Sequence, residues 1–196
     1  METKGEQTRR AILDAAIARF GRDGYRATSV ADITRDAGLG GTVAYAYFPN
    51  KEALFLAAID EDAAAVIRDG LSTVADASIS DWRETLIFTL AGAVDGHPLA
   101  RRLLAGLEPE VTMRVLEIPA LAELRKACID RIGSEQISGT VRADVDPTTM
   151  GNGVVAIMLS LLMSVVQLGP AAVITYRDDV AAVFQAALDA RIPRRG

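Results

Sequence analysis

The chain has 196 residues, half of them hydrophobic, with 16 Gly, 7 Pro and no low-complexity stretch; this excludes a disordered or fibrous protein and allows a small module joined to a larger one. Net charge is −5, but it is unevenly spread: residues 1–51 hold eight Lys/Arg against six Asp/Glu (+2), and residues 52–196 hold thirteen against twenty (−7). A lone cysteine, Cys128, excludes an internal disulfide, and the polar start has no apolar signal core, so a cytoplasmic location is expected.

In chain order, residues 8–21 carry an apolar stripe (Ile12, Leu13, Ala16, Ile17, Phe20) at helical spacing, which Gly21 and Gly24 close. Thr28 or Ser29 caps a second helix, with Asp32 placed to reach back to the cap and Val30, Ile33 and Ala37 inside. Gly38 suits a left-handed turn, residues 41–47 form a third short helix, and Pro49 starts a fourth with Leu54, Phe55, Ala58 and Ile59 inside. Further helices are expected at 80–94, 98–106, 110–132 (bent near Pro119), 147–168 and 171–191. Only Thr140-Val141-Arg142 hints at a strand, so the fold class is all-α.

The glycine-hinged pair at 29–48 is the informative feature. Two short helices joined in this way can lay one across a DNA backbone and place the other in the major groove. Thr28 and Ser29 stand at a helix start, where amides and a hydroxyl can hold a phosphate; Tyr47 can donate to a phosphate and Lys51 can add a point charge.

Together Phe20-Gly-Arg-Asp-Gly-Tyr25, Thr28-Ser-Val-Ala-Asp-Ile33, Ala37-Gly38 and Tyr45-Ala-Tyr-Phe-Pro-Asn-Lys-Glu-Ala-Leu54 resemble the DNA-binding domain of the tetracycline-repressor (TetR) family over about residues 8–60. The resemblance implies a helix-turn-helix domain at 6–66 and a helical effector-binding and dimerisation domain at 67–196. It makes Thr28, Ser29, Tyr47 and Lys51 backbone clamps, and turns Gly41, Thr42 and Tyr45 toward base edges. The sequence departs from the family where Gly40-Gly41-Thr42-Val43 replaces a Ser-Lys-Gly-Thr run. Gly40 still permits a helix start with a weaker cap, and no Arg, Asn or Gln on the third helix offers a bidentate base contact.

Thirty consecutive uncharged residues, Pro147–Tyr176, are long enough to span a membrane. Glycines, Asn152 and Gln167 thin that stretch, and its flanks lack a one-sided cationic bias, so no membrane is expected. Gly153, Ala156, Ser160, Ser164 and Gln167 instead form a small, weakly polar face on one helix. With Phe184 on the next helix, that face is read as a homodimer seam. A helical membrane-associated or scaffold protein using 147–176 is the alternative. By resemblance, Trp82, Phe88, Leu107, Met113 and Met158 line a pocket for a small, hydrophobic effector.

Signatures of catalysis are scarce. One His and one Cys cannot form an ordinary zinc cluster, Gly38-Leu-Gly-Gly41 follows a helix rather than a strand, and no Gly-x-Ser-x-Gly elbow occurs. The acidic groups Asp60-Glu61-Asp62, Glu108/Glu110 and Asp178-Asp179 read as solvated faces. The residues thus lead to no expectation of enzymatic activity, metal or cofactor, and the resemblance implies a ligand-responsive repressor. It binds a palindromic double-stranded operator as a homodimer and is released by its effector.

Overall fold

The computed structural model describes residues 3–75, 82–109, 111, 114, 116–169 and 171–189, with backbone alone for 172–177. Every regular element among them is helical, as the periodicity requires. The strand hint at 140–142 amounts to one isolated bridge, Val141 to Asp189, reinforced by the Arg142 amide donating to the Leu188 carbonyl at 3.0 Å.

Thr3 opens α1 (Lys4–Ala27) with a reciprocal cap: its hydroxyl accepts the Glu6 amide at 3.2 Å while the Glu6 carboxylate accepts the Thr3 amide at 2.6 Å. The expected stripe is the buried one, Ile12, Leu13, Ala16 and Phe20. The backbone leaves helical geometry at Gly24 (φ 83°, ψ 170°), a conformation nearly confined to glycine. Gly21 does not break the helix.

Ser29 caps α2 (Val30–Asp36), accepting from the Asp32 amide at 3.1 Å and donating its hydroxyl to the Asp32 carboxylate at 2.6 Å. Gly38 (φ 70°) then turns the chain. The expected helix at 41–47 shrinks to a single 3-10 turn, Val43–Ala46, because Thr42 gives it no side-chain cap and two glycines precede it. Pro49 stays outside the next helix, which Asn50 caps through the Ala53 amide at 2.8 Å.

Helix α3 (Lys51–Thr73) joins the two halves of the molecule. Its first half buries Leu54, Phe55, Ala58 and Ile59 in the head, and its second half buries Asp62, Val66, Ile67 and Gly70 in the body. The boundary expected after residue 66 thus lies inside a continuous helix. Phe55 meets Phe20 edge-on at 4.8 Å and tilts against Tyr25 at 4.8 Å, which closes the head core.

The body comprises α4 (Trp82–Ala93), α5 (Pro98–Leu104), α6 (Pro119–Ile137), α7 (Pro147–Leu168) and α8 (Ala171–Leu188). Within the span expected at 110–132, residues 110, 112, 113 and 115 lie outside the described residues, and Pro119 opens a helix that runs on through Gly133. Ile118, extended at ψ 147°, shows why: a residue before proline avoids helical geometry. The chain turns between α6 and α7 at Gly139 (φ 76°). Helices α6 and α7 approach closely at Gly151, where a Cβ would lie 2.5 Å from Ile129 Cγ1 and 3.0 Å from its backbone nitrogen.

Asp146 caps α7. The Thr149 hydroxyl, then its amide, hold the Asp146 carboxyl below its ordinary value; the Ser29 hydroxyl does the same for Asp32, and the Thr3 amide for Glu6. A lowered folded-state value stabilises the fold fully at neutral pH, and that contribution is lost as the pH falls through it.

Candidate nucleic-acid interface

The expected reading segment sits on a core-anchored platform. Ala44 and Phe48 are buried in the core and anchor the 3-10 turn there, while Gly40, Gly41, Thr42 and Tyr45 remain exposed. Tyr45, at 53% exposure, is the largest apolar-bodied side chain the turn presents to solvent. Its ring and hydroxyl, with the methyl and hydroxyl of Thr42, give this surface both stacking and hydrogen-bonding capacity. Ser29 is likewise exposed, at the start of α2.

Two of the expected backbone clamps are placed differently. Thr28 is a correction: it is 2% exposed, and its Oγ1 is buried without a hydrogen-bond partner among the described residues. The extended backbone from Thr28 to Ser29 sends consecutive side chains to opposite faces, so only Ser29 faces solvent. Thr28→Val keeps the shape and removes an unsatisfied hydroxyl. It should leave duplex binding unchanged and hold or raise stability by up to about 1 kcal/mol, read by thermal melting beside a binding titration. A phosphate clamp at Thr28 would instead lose affinity.

Lys51 is half-buried. Its Nζ donates to the Thr28 carbonyl at 2.8 Å and stands 4.3 Å from the Tyr25 ring centroid. It therefore ties the α1–α2 joint to the start of α3, and with three N–H donors it keeps capacity for a phosphate. Tyr47 is half-buried, with its hydroxyl by the start of α1; a Cβ on Gly5 would be 3.9 Å from it. The sequence reading missed Arg9, whose exposed guanidinium lies 5.3 Å over the Phe48 ring and so adds a cation behind the turn. An arginine early in an amphipathic helix gives no sequence signal of that placement. Arg19 and Arg35, by contrast, are paired with Asp36 at 2.6 Å and Asp32 at 3.0 Å.

The five expected pocket residues do not share one environment. Trp82 and Met158 are buried, Phe88 and Leu107 are exposed, and Met113 lies outside the described residues. Trp82 holds the body together through its polar edge. Its indole N–H donates to Glu135 at 2.7 Å, and Arg83, paired to the same carboxylate, stacks over its ring at 4.6 Å.

On the expected seam, Gly153, Ala156 and Ser160 are exposed, and Ser164 and Phe184 are half-buried. The hydroxyls of Ser160 and Ser164 donate to the carbonyls four residues back at 3.0 Å each, so the face carries no unmet polar demand. Gln167 is exposed yet donates to the Leu104 carbonyl at 2.9 Å, which makes it a link from α7 to α5 rather than a free seam residue. Helix α7 is long and apolar enough to cross a membrane, and only 28% of its apolar stretch is buried within the chain.

The profile of the bacterial regulatory proteins of the tetR family matches residues 12–58. Over 52 residues the chain is 46% identical to the HTH-type transcriptional repressor ComR of Escherichia coli K12, a stretch that makes up 26% of this chain and 25% of that repressor. The chain thus spans a quarter of the length of the curated relative it matches. A solved TetR-family transcriptional regulator from Pectobacterium atrosepticum has the same fold, with TM-score 0.71 and 19% identity over 98% of this chain and 100% of that one. A solved gamma-butyrolactone receptor (ArpA-like protein) gives TM-score 0.54 and 25% identity over 99% and 94% of the two chains. The front of the chain thus matches the tetR family profile, and the chain as a whole shares the fold of a solved TetR-family regulator.

Proposed function

We propose that the protein is a ligand-responsive transcriptional regulator that binds a palindromic operator as a homodimer and represses until a small, mostly apolar effector releases it. The observation that carries this reading is the exposed Gly41-Thr42…Tyr45 surface on a buried Ala44–Phe48 anchor, together with the exposed Ser29 cap of α2. Ser29, Tyr47, Lys51 and Arg9 hold phosphates, which fixes the register. Specificity rests on Thr42, Tyr45, methyl contacts to thymine and DNA shape, since the turn offers no bidentate donor.

Two copies pair through α7 and α8. That pairing covers the apolar stretch of α7 that the single chain leaves open, and it sets two heads facing successive major grooves about 34–36 Å apart. A membrane is the competing cover for the same helix. A detergent-free sample that sediments as a dimer favours the seam. The effector acts by population shift: it drains the operator-competent spacing by no more than its differential affinity for the two states. The likeness to a gamma-butyrolactone receptor makes small lactones the first compounds to test.

Selection of bound duplexes from random and genomic fragments tests the reading, with recovery of a palindrome expected. With that duplex in hand, alanine at Thr42 and Tyr45 should reduce discrimination against mutated half-sites by about 1–3 kcal/mol for each base interaction removed. Unchanged operator preference in both variants would remove these residues from base readout.

A further inference from the structure

The acidic run Asp60-Glu61-Asp62 and the Glu108 carboxylate read from sequence as solvated. In the structure two of these groups tie α3 to α5 and α6, and a third ties α5 to Tyr25 of the head. Asp62, buried in α3, accepts from the amides of Leu99 at 3.0 Å and Ala100 at 2.8 Å, with His97 Nδ1 at 2.8 Å on its other oxygen. It is thus the N-terminal cap of α5, supplied from another helix. Two residues earlier Asp60 accepts the Ala120 amide at 2.9 Å and caps α6 in the same way. Both helices begin with a proline and have no side-chain cap of their own, so their first amides and positive dipole ends require a carboxylate from elsewhere.

Glu108 secures the other end of α5. Also buried, it accepts the Arg102 guanidinium at 2.6 Å and the Tyr25 amide at 3.1 Å, directly after the Gly24 kink that ends the regular part of α1. Gln167 of α7 donates to the last carbonyl of the same short helix, Leu104, at 2.9 Å. Helix α5 is therefore fastened at its start to α3, the helix that head and body share, and at its end to the head through Tyr25 and to α7 through Gln167.

We propose that Asp60, Asp62 and Glu108 are positioning residues that fix the angle of the head on the body and so set the separation at which two heads can meet DNA. Solvated carboxylates would do nothing of this kind. Asp62 and Glu108, buried and each bonded more than once, favour one orientation, because removing either acceptor leaves buried donors unsatisfied in it; half-buried Asp60 adds one further amide bond. Only the DNA clause of this inference rests on the function proposed above.

The test has a DNA-independent arm. Spin labels at Ala31→Cys on the head and Ala122→Cys on α6, both exposed positions, report the head-to-body distance within one chain when diluted into unlabelled protein; Cys128 is buried and stays unlabelled. The parent should give one narrow distribution. Asp62→Ala and Glu108→Ala should roughly double its width, as one orientation gives way to more than one. Asp62→Asn and Glu108→Gln keep an acceptor oxygen and should restore it. If an alanine variant does not fold, His97→Ala and Arg102→Ala each release one arm of the same clusters and carry the same expectation. Folded variants whose distributions overlay the parent overturn the inference.

In the second arm, duplexes with the selected half-sites at varied spacing are titrated. The variants should lose about tenfold of the preference for the best spacing, with half-site preference unchanged. A merely destabilised protein would weaken on all spacings alike, which counts against the inference. If the parent binds no duplex, the functional reading fails, and the distance arm still decides the role of the carboxylates.

Discussion

Replacing Ala156 by arginine should split the protein into monomers and lower its affinity for a two-half-site operator by roughly 10²- to 10⁴-fold, the factor that linked binding supplies. Ala156 is exposed in the single chain, so the substitution should cost the fold no more than about 0.5 kcal/mol. Across a close helix seam it is far more damaging, since Gly153 and Ser160, one turn to either side, leave no room for a guanidinium. Sedimentation reads the oligomeric state, and titration against one and two half-sites separates the effects. Affinity for a single half-site should stay as it was. A variant that sediments as a dimer would place the seam elsewhere on the chain.

Gly24→Val should lower stability by about 3 kcal/mol, a large share of the roughly 5–15 kcal/mol a domain of this kind holds. The kinked backbone alone costs a branched residue about 1–3 kcal/mol. In addition, a Cβ there would lie 2.4 Å from Arg102 Nη2 and 2.7 Å from Glu108 Oε1, so the buried ion pair of Arg102 and Glu108 must move. The expected readout is a melting temperature several degrees lower, with the Tyr25 amide exchanging faster as its acceptor is displaced. A variant that melts with the parent would show that the kink relaxes freely.

Much of the head was legible in the residues themselves. A stripe from Ile12 to Phe20, a serine three residues before an aspartate and a glycine after an amphipathic run each state a local rule, and α1, α2 and the Gly38 turn obey it. Where two neighbours could serve the same rule, pattern did not choose. Thr28 and Ser29 are both hydroxyl caps by type, and only the strand-like backbone between them assigns one to the core and the other to solvent. Pro119 was legible as a disturbance but not as a helix start, because a proline at a bend and a proline at a first turn look alike until the extended Ile118 is known.

The least legible residues were the acids. Asp62 and Glu108 have the composition of a surface, and their burial depends on amides brought from 37 and 83 positions away in the chain. Such a pairing has no local period to betray it. The expected pocket lining was hard to read for a related reason: apolar side chains at helical spacing serve equally as core, and Trp82 and Met158 are buried here.

Because α3 runs unbroken from Lys51 to Thr73, it behaves as a stiff lever with its fulcrum near Asp62. Eleven residues separate that fulcrum from Lys51, an arm of about 16 Å. Tilting such an arm by about 10° sweeps its tip about 3 Å, close to the 3.4 Å step between stacked bases. In the proposed homodimer two such levers would double the excursion, so a disturbance too slight to alter the body's packing would put both heads out of phase with the duplex.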